Sequence, residues 1–553
     1  MRLATLFGCS FLCSDPAGAL AAEPAAPDAG RAAQPEMPAP ARLQEMGATI
    51  GKIVLLKQNV FDPTQPGEDR WLYRLANRWH ILTRDSVIRQ QLLFREGDRF
   101  RARLLAESGR ILRSNDYLYT ASVEPLAFHP ETGEVDIIVR TRDVWTLVPG
   151  ASVSRSGGAN EYYLSLSEKN LLGRGARLRV VYEEDVDREA TSFEFSDHNF
   201  GHSWVSVELG LSDKSDGMTS ELDVIRPFYA LDARWSAGVQ WLEDEREDRL
   251  YDLGEEAAEY RHQSDYFKVF GGWSDGLDDG WVRRWTAGFV YDDQVFSEVR
   301  MPELPQAVPE DRKLVYPFIG FELLEDDFDV TENRDQIGIP EDFYMGRRVA
   351  ATLGYAAESF GSDRNALVYT LEASSGFGDI GSKALFLSAQ SSGRYEHGEL
   401  TNGVTSFGVR WYNQISDKRL FFTTADVAFG HALDLENPIE LGGDSGLRGY
   451  PLRYQVGNKR VLFSLEERWF TDWYPFKLVR IGGAVFADVG RTWGDNPVGG
   501  PPLGWLRDVG FGLRLAPTRG GDQKVIHVDI AFPLDGDPSI DNVQILLESK
   551  ASF

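Results

Sequence analysis

A serine near the C-terminal end of the chain lies in surroundings that could support catalysis. The stretch from Gly442 to Tyr454 reads GGDSGLRGYPLRY, and Gly-Asp-Ser-Gly surrounds the nucleophile in one class of serine protease. A serine hydroxyl is unreactive unless a base takes its proton, and none of the eight histidines lies in a context typical of such a base. The protease motif also continues with Gly-Pro, whereas Gly446 is followed by Leu447. We therefore assign Ser445 to a turn and predict no catalytic residue, no cofactor and no enzyme activity.

The charge and the hydropathy of the chain restrict its partners. Its 553 residues include 85 acidic and 58 basic residues, for a net charge of −27, and the mean hydropathy is −0.32. Such a surface repels phosphate backbones, so no nucleic-acid binding is predicted. Beyond the N-terminus, no run of roughly 18 apolar residues could form a membrane-spanning helix. A transmembrane barrel of alternating strands escapes this test and stays open.

The N-terminus has the pattern of an export signal. Arg2 is followed by the apolar stretch Leu3–Leu12, and Ala19–Ala21 offers a cleavage site after Ala21. We predict a signal peptide over residues 1–21, which would remove both cysteines; the alternative is a wrongly chosen start or a disordered tail. Residues 22–47, rich in alanine and proline, are predicted to be a flexible linker.

Residues 48–144 are predicted to form a small α/β domain. The order is strand, helix, helix, strand, strand, with Thr83 as the N-cap of the first helix. Turn residues between His129 and Gly133 join the last two strands. The elements predicted after this first helix are a second helix over Arg101–Arg113 and strands over Tyr117–Phe128 and Glu134–Asp143.

From residue 145 to 553 the pattern changes to alternating apolar and polar residues in segments of about ten. Two stretches, KVIHVDIAF and RDVGFGLRL, show it best. Their apolar faces are Ile526, Val528, Ile530 and Phe532, and Val509, Phe511, Leu513 and Leu515. We count about twenty such segments, with sixteen possible, which predicts a transmembrane antiparallel β-barrel of 16–20 strands. Soluble all-β domains in tandem are the alternative.

The last segment suits the closing strand of such a barrel. Inside lipid every backbone N–H and C=O must be paired, so the last strand has to pair with the first. In VQILLESKASF the residues Ile545, Leu547 and Phe553 share one face, and the chain ends on an aromatic residue. We predict that this face meets lipid and that it acts as the C-terminal strand signal.

The second half of the opening stretch resembles a motif of outer-membrane proteins. Leu447-Arg448-Gly449-Tyr450 is similar to the (V/I/L)-R-G-(F/Y) motif of the BamA/TamA superfamily, also called the bacterial surface antigen family. Phe486-Ala487-Asp488-Val489-Gly490 matches the F-x-D-x-G pattern of the second strand after the loop. The phrase LLFREGDRF in the α/β domain resembles a POTRA domain. Five strand segments follow the motif, as in that superfamily, and the resemblance covers about residues 50–553.

The resemblance implies a loop folded into the barrel and held by a pair of charges. Arg448 would be the loop latch, with Leu447, Gly449 and Tyr450 around it. Its partner on the barrel wall would be Asp488, flanked by Phe486 and Gly490. Strand alternation places Asp488 on the polar face independently, and because lipid penalises a carboxylate, that face must be the lumen.

The resemblance also implies a location and a function. The expected location is the outer membrane of a Gram-negative bacterium, with the α/β domain in the periplasm. The expected function is assembly of barrel proteins or translocation of polypeptide, with substrate captured by β-augmentation. The expected partners are outer-membrane lipids, lipopolysaccharide, unfolded outer-membrane or secreted polypeptides and periplasmic accessory proteins.

The chain departs from the usual pattern of the superfamily in three ways, so alternative functions stay open. Only one POTRA-like unit is visible, with Phe61–His80 inserted in it; the last strand lacks a glycine; and the strand count exceeds sixteen. The alternatives are a two-partner-secretion translocator, which normally has two POTRA units and a plug helix, and a passive porin or enzyme barrel. The acidic runs Glu243–Glu256 and Leu324–Asp335 are predicted to be solvated strand ends and loops. They lack the spacing of a metal site, and none is predicted.

Overall fold

The computed structural model describes residues 37–156, 158–501, 503–520, 524–536 and 540–550. The predicted cleavage site at Ala21 and the terminal Phe553 lie outside these ranges. Residues 37–144, called the N-terminal unit below, form four helices and three strands within the described part. In chain order they are α1 (Pro40–Glu45), β1 (Thr49–Gln58), α2 (Trp71–Trp79), α3 (Asp85–Gln90), α4 (Ala102–Arg113), β2 (Leu118–His129) and β3 (Glu134–Asp143).

The sheet of the N-terminal unit has β3 in the middle. It pairs in parallel with β1 and antiparallel with β2, so β2 lies at an edge. Apolar residues of the sheet and of α1, α3 and α4 form one core, in which Ile50, Leu112 and Ile137 are almost fully buried. The predicted order of strands and helices is therefore present, with α2 as an added helix in the insertion. Of the helices in the described ranges, none combines the length and apolar composition needed to cross a lipid bilayer.

The remaining strands follow at short intervals. They are β4 (Leu147–Ser156), β5 (Ala159–Glu168), β6 (Arg177–Glu184), β7 (Glu189–Phe200), β8 (Val205–Lys214), β9 (Gly217–Arg226), β10 (Trp235–Asp252), β11 (Glu255–Asp278), β12 (Trp281–Ser297), β13 (Arg312–Glu325), β14 (Phe328–Glu332), β15 (Pro340–Tyr344), β16 (Arg347–Ala356), β17 (Ala366–Asp379), β18 (Lys383–Glu396), β19 (Glu399–Ser416), β20 (Arg419–His431), β21 (Ile439–Leu441), β22 (Gln455–Gly457), β23 (Lys459–Phe470), β24 (Val479–Trp493), β25 (Leu506–Pro517), β26 (Val525–Pro533) and β27 (Gln544–Lys550).

Twenty of these described strands close into one barrel. Each pairs antiparallel with its neighbour, and only the short strands β14, β15, β21 and β22 stay outside the ring. The last strand meets the first, with Leu547 of β27 opposite Arg155 of β4. The prediction of a β-barrel is confirmed, at the upper end of the predicted range of strands.

The barrel wall alternates as the sequence indicates. On β26, Val525, His527, Asp529 and Ala531 are buried, and the residues between them point outward. On β25, the outward residues Phe511 and Leu513 are about half exposed, whereas Arg514 is fully buried. The wall is therefore apolar outside and polar inside, as a barrel in lipid requires.

Two chain segments enter the barrel from opposite ends. The first, residues 432–458, joins β20 to β23 and is called the arginine loop below. The second, residues 326–346, joins β13 to β16 at the end that carries the N-terminal unit and is called the luminal hairpin. Its strands β14 and β15 pair with each other, and Ile337, Phe343 and Met345 lie in one apolar cluster with inward residues of seven wall strands. Both ends of the interior are therefore occupied by protein.

Two local predictions at the N-terminal end of the described chain were wrong. Helix α3 begins at Asp85, and Thr83 is not its cap: the backbone N–H and the hydroxyl of Thr83 both donate to Asp143, at 2.8 and 2.9 Å. The predicted linker was too long, because residues 40–45 form α1 and Leu43 is fully buried in the core. In both cases a tertiary contact overrides a local pattern.

The prediction that the acidic runs are solvated was wrong in part: Glu255, Glu256 and Asp327 are exposed, but other carboxylates of both runs are paired inside the protein. Residues 243–252 belong to β10, where Asp244 accepts a hydrogen bond from Lys214 at 2.6 Å. The second run continues into the luminal hairpin, and Asp335 accepts a hydrogen bond from Tyr412 at 3.0 Å inside the barrel. These carboxylates are paired with donors of the polar inner face, which composition does not reveal.

Candidate functional site

The arginine loop is shaped by a short hairpin and a tight turn. Strands β21 and β22 pair with each other and carry residues 442–454 into the barrel. In the turn, the Ser445 hydroxyl accepts a hydrogen bond from the Gly442 N–H at 2.7 Å and donates to the Gly442 carbonyl. Gly446 then adopts a φ of +103°, a conformation that favours glycine. Ser445 is thus part of the turn.

Leu447 and Tyr450 anchor the loop tip by apolar packing. Both are fully buried, in a cluster with Leu441, Leu462 and Leu506. The Tyr450 hydroxyl donates to the backbone carbonyl of residue 507 at 2.8 Å, so its polar end is satisfied. These two side chains fix the height and the orientation of the residues between them.

Gly449 lets the loop backbone touch the barrel wall. Its N–H donates to Asp508 Oδ2 at 3.0 Å, and an added Cβ would lie 2.6 Å from the Asp508 Cβ. Only glycine permits this approach without a shift of β25. The position between Arg448 and Tyr450 therefore requires glycine for steric reasons.

Arg448 lies between the loop and the wall in a buried ion pair. Its Nε donates to Asp488 Oδ2 at 2.7 Å and one terminal nitrogen donates to Oδ1 at 2.8 Å, which is a bidentate contact. The other terminal nitrogen donates to Glu466 at 3.1 Å. The guanidinium carbon also lies 3.4 Å from the centre of the Phe486 ring. The structure therefore brings Arg448, Asp488 and Phe486 together.

Four charged wall residues that the sequence analysis did not single out as site residues complete this site. We call them, with Arg448 and Asp488, the arginine cluster: Glu466 and Arg468 on β23, Arg514 on β25 and Asp529 on β26. Glu466 accepts hydrogen bonds from Arg468 at 2.9 Å and from Arg514 at 3.0 Å, and Arg514 also donates to Asp529. Each of the six is less than 10% exposed.

The pairing in the arginine cluster has an electrostatic reason. Asp488 and Asp508 face each other across β24 and β25, where two ionised carboxylates would repel. The guanidinium of Arg448 balances the charge of Asp488, while the Gly449 N–H donates a hydrogen bond to Asp508. Removing one member of such a buried set leaves the others uncompensated, which costs more than the pair itself contributes.

A signal for part of the cluster was present in the sequence. Arg514 and Asp529 occur on the polar faces of two strands whose other faces are apolar. A charge at such a position is expensive in lipid and therefore indicates the lumen. What alternation could not tell is that these residues lie at the height of Arg448.

The remaining predicted site residues have structural positions on the wall. Gly490 lies where an added Cβ would come within 2.9 Å of Leu441 of the loop, so it also permits close approach. Ile545 on β27 is 53% exposed on the outer face. Leu546, between the outward-facing Ile545 and Leu547, is fully buried against Phe486. The face assigned to lipid in the last strand is therefore the outer one in its described part.

Comparison with known proteins gives likeness of structure only. No family model matches the chain, and no curated protein matches it either. One similar solved structure is BamA from Haemophilus ducreyi lacking POTRA domains 1-3, with 13% identity, coverage of 90% of this chain and 83% of that chain, and a TM-score of 0.38. CdiB from Acinetobacter baumannii has 11% identity, coverage of 91% and 74%, and a TM-score of 0.42. CdiB from Escherichia coli has 11% identity, coverage of 95% and 92%, and a TM-score of 0.34.

Proposed function

We propose that this chain is an outer-membrane barrel of the BamA/TamA superfamily that assembles barrel proteins or translocates polypeptide. The observation that carries the proposal is the buried bidentate contact between Arg448 of the arginine loop and Asp488 of the wall. A solvated loop arginine would not be buried among three carboxylates. This contact joins the superfamily's loop motif to its wall motif.

The occupied interior favours this function over that of a passive porin. A porin needs an open aqueous channel. Here the arginine loop fills the barrel from one end, and the luminal hairpin packs against wall residues such as Phe386 and Tyr412 at the other. No enzyme activity is proposed, since the Ser445 hydroxyl is bound within its own turn.

Substrate capture is assigned to the edge of the N-terminal unit. Within the described residues, β2 has a strand neighbour on one side only, so its other side offers backbone donors and acceptors to an extended peptide. Pro125 on this strand coincides with a shift of register toward β3, a position that proline tolerates at edges. In the proposed orientation this edge lies in the periplasm, where unfolded outer-membrane polypeptides pass.

Photocrosslinking in cells tests the proposal. A photoreactive amino acid replaces Leu126, which is on β2 and 43% exposed; the control replaces Met46, which is 50% exposed at the end of α1. We expect the Leu126 probe, and not the Met46 probe, to crosslink to many nascent barrel proteins in the outer-membrane fraction. Crosslinks to one secreted protein would identify a two-partner-secretion translocator, and no crosslink to polypeptide would refute capture by this edge.

A backbone variant sharpens the test. Val123→Pro removes one backbone donor from β2, while Val123→Ala removes side-chain packing and keeps the donor. We expect crosslinking from position 126 to fall several-fold in the proline variant and to persist in the alanine variant. Barrel folding, read from heat-modifiable gel mobility, serves as the control in both. Equal crosslinking in the two variants would remove the backbone of β2 from the mechanism.

A further inference from the structure

Helix α2 presents an apolar face on which three of the four side chains are more than half exposed. Trp71, Leu75 and Trp79 recur at every fourth position and Leu72 lies beside them, so the four side chains share one side of the helix. Trp71 is 66% exposed, Leu72 54% and Trp79 70%. Two tryptophans exposed to this extent on one nine-residue helix are unusual for a surface that faces only water.

The opposite side of α2 fixes the helix to the rim of the barrel. Tyr73 is buried, stacks on Phe61 with ring centres 4.1 Å apart, and donates to the carbonyl of Phe476 in the turn between β23 and β24. The apolar cluster of Phe61 and Tyr73 includes Leu478 of the same turn. The exposed face of α2 is therefore held at a defined place beside the wall.

A buried ion pair supports this attachment. Arg519, which follows β25, donates to Glu68 just before α2 and to the Val60 carbonyl at 2.9 Å. Burial alone would raise the pKa of Glu68, but the Asp62 N–H and the guanidinium groups of Arg519 and Arg142 hold that pKa below its ordinary value. The charged pair therefore persists at neutral pH and joins the insertion to the barrel.

The rim under α2 continues the apolar outer wall. On β25, alternation places Val509, Phe511, Leu513 and Leu515 outward up to the last residue, Pro517. On the neighbouring strand, Val479 starts the outward series immediately after the turn. The turn itself exposes Trp473 by 64% and Phe476 by 65%. Apolar side chains are therefore exposed on the wall, on the turn and on α2, and α2 is attached to that turn through Tyr73.

The charge around α2 has the opposite sign to that of the whole chain. Residues 69–79 contain three arginines (Arg70, Arg74 and Arg78) and one aspartate, Asp69, in a protein with a net charge of −27. Asp69 pairs with Arg74. Arg78 flanks the apolar face, and none of the described contacts pairs it with a carboxylate. A cationic border around tryptophan and leucine is complementary to the phosphates and acyl boundary of a lipid surface.

We propose that α2 is an interfacial helix that binds the surface of the membrane beside the barrel and holds the N-terminal unit against it. The occupant of the apolar face is lipid, with Trp71, Leu72, Leu75 and Trp79 at the acyl boundary and the arginines at the phosphates. This inference rests on the proposed membrane location of the barrel.

Fluorescence quenching in proteoliposomes tests the inference. The natural cysteines Cys9 and Cys13 lie in the predicted signal peptide, so the mature chain accepts a single introduced cysteine. An environment-sensitive nitrobenzoxadiazole label is attached to Leu72→Cys in vesicles of phosphatidylethanolamine and phosphatidylglycerol that contain spin-labelled lipid. We expect blue-shifted emission and several-fold stronger quenching than for the matched control Leu126→Cys.

A second control separates this inference from the membrane location. Val485→Cys labels the outer wall of β24, where the valine is 43% exposed, as Leu126 is. Quenching at 485 but not at 72 would overturn the interfacial helix alone. No quenching at either position would overturn the membrane barrel and the helix together.

The charge can be tested in the same system. We expect Arg74→Glu combined with Arg78→Glu to reduce quenching at position 72 several-fold, with a larger loss in vesicles richer in phosphatidylglycerol. Quenching at position 485 should not change. If the double variant keeps full quenching at 72, the cationic border does not bind lipid phosphates.

Discussion

The arginine loop and the luminal hairpin enter the same barrel but are held there by different interactions. The loop is held by apolar packing of Leu447 and Tyr450 and, in addition, by one buried cation, Arg448, which pairs with carboxylates of three strands. The hairpin depends on dispersed apolar contacts around Phe343 and on an ion pair with the N-terminal unit, between Asp342 and Arg113. A buried charge network fails when one member is lost, whereas an apolar cluster loses stability in proportion to the volume removed.

The two segments meet at Arg468. Its Nε donates to Glu466 of the arginine cluster at 2.9 Å, and one terminal nitrogen donates to the Arg334 carbonyl of the hairpin at 2.7 Å. The same guanidinium lies 3.3 Å from Asp335. Arg468 therefore links the charged site to the segment that contacts the N-terminal unit, and a change in one can reach the other through this side chain.

The largest loss of stability is expected from a substitution at Arg448 in the arginine loop. Arg448→Ala leaves Asp488 without its guanidinium partner and removes one of the three arginines that pair with Glu466. It should lower the free energy of unfolding by about 4 kcal/mol. The measurement is denaturant unfolding of the barrel in detergent micelles. Asp488→Ala should produce a similar loss, and the double variant should be less than additive, because the two residues contact each other.

A control in the same loop distinguishes this network from ordinary ion pairs. Arg453 pairs with Asp187 at 2.7 Å, but both side chains are more than 20% exposed. Arg453→Ala should therefore cost no more than about 1 kcal/mol. Equal losses for Arg448→Ala and Arg453→Ala would contradict the special role of the buried contact.

The next effect is expected from the hairpin. Phe343→Ala removes a ring that packs against Phe386 and Tyr412, and should weaken docking of the hairpin by about 3 kcal/mol. The barrel itself should stay folded, because local opening does not require unfolding of the wall. Limited proteolysis within residues 326–346 measures the change, with Val330→Ala, 49% exposed on β14, as the control. Unchanged protection would mean that the apolar cluster does not hold the hairpin.

A smaller effect is expected where the N-terminal unit contacts the hairpin. Arg113 Nε donates to Asp342 at 2.7 Å, and both side chains are about 20% exposed. Arg113→Ala should raise the rate of hairpin proteolysis by a factor that corresponds to about 1 kcal/mol. Arg140→Ala, which breaks a more exposed pair on the same unit, should leave the rate unchanged. Equal rates of hairpin proteolysis in Arg113→Ala and Arg140→Ala would mean that the Arg113–Asp342 ion pair does not couple the N-terminal unit to the hairpin.

The smallest effect is expected at Ser445. Among the described residues, its hydroxyl forms hydrogen bonds within its own turn, so Ser445→Ala should change the free energy of unfolding by about 1 kcal/mol or less. Crosslinking from position 126 should be unaffected. Loss of function in this variant, together with normal function in Arg448→Ala, would favour a catalytic serine over the arginine cluster.

The alternation of residue types was sufficient to predict which side chains of the barrel wall face outward and which face inward. Alternation assigned Phe511 and Leu513 to the outside and Asp488 and Asp529 to the inside, and the structure places them there. This succeeds because the face of a strand residue depends only on the period of two. The tip motif around Arg448 was also evident, because glycine and arginine at that spacing match a known loop.

Local patterns did not predict which charged residues contact each other or which segments enter the barrel, because both depend on the complete fold. Glu466, Arg468 and Arg514 join Arg448 because neighbouring strands bring them to one height, and Asp335 enters the lumen on a hairpin that composition marks as solvated. Thr83 likewise bonds Asp143 instead of capping a helix. The height of a residue in a barrel depends on strand number, tilt and stagger. These quantities are set by pairing all the strands at once, so no local pattern contains them.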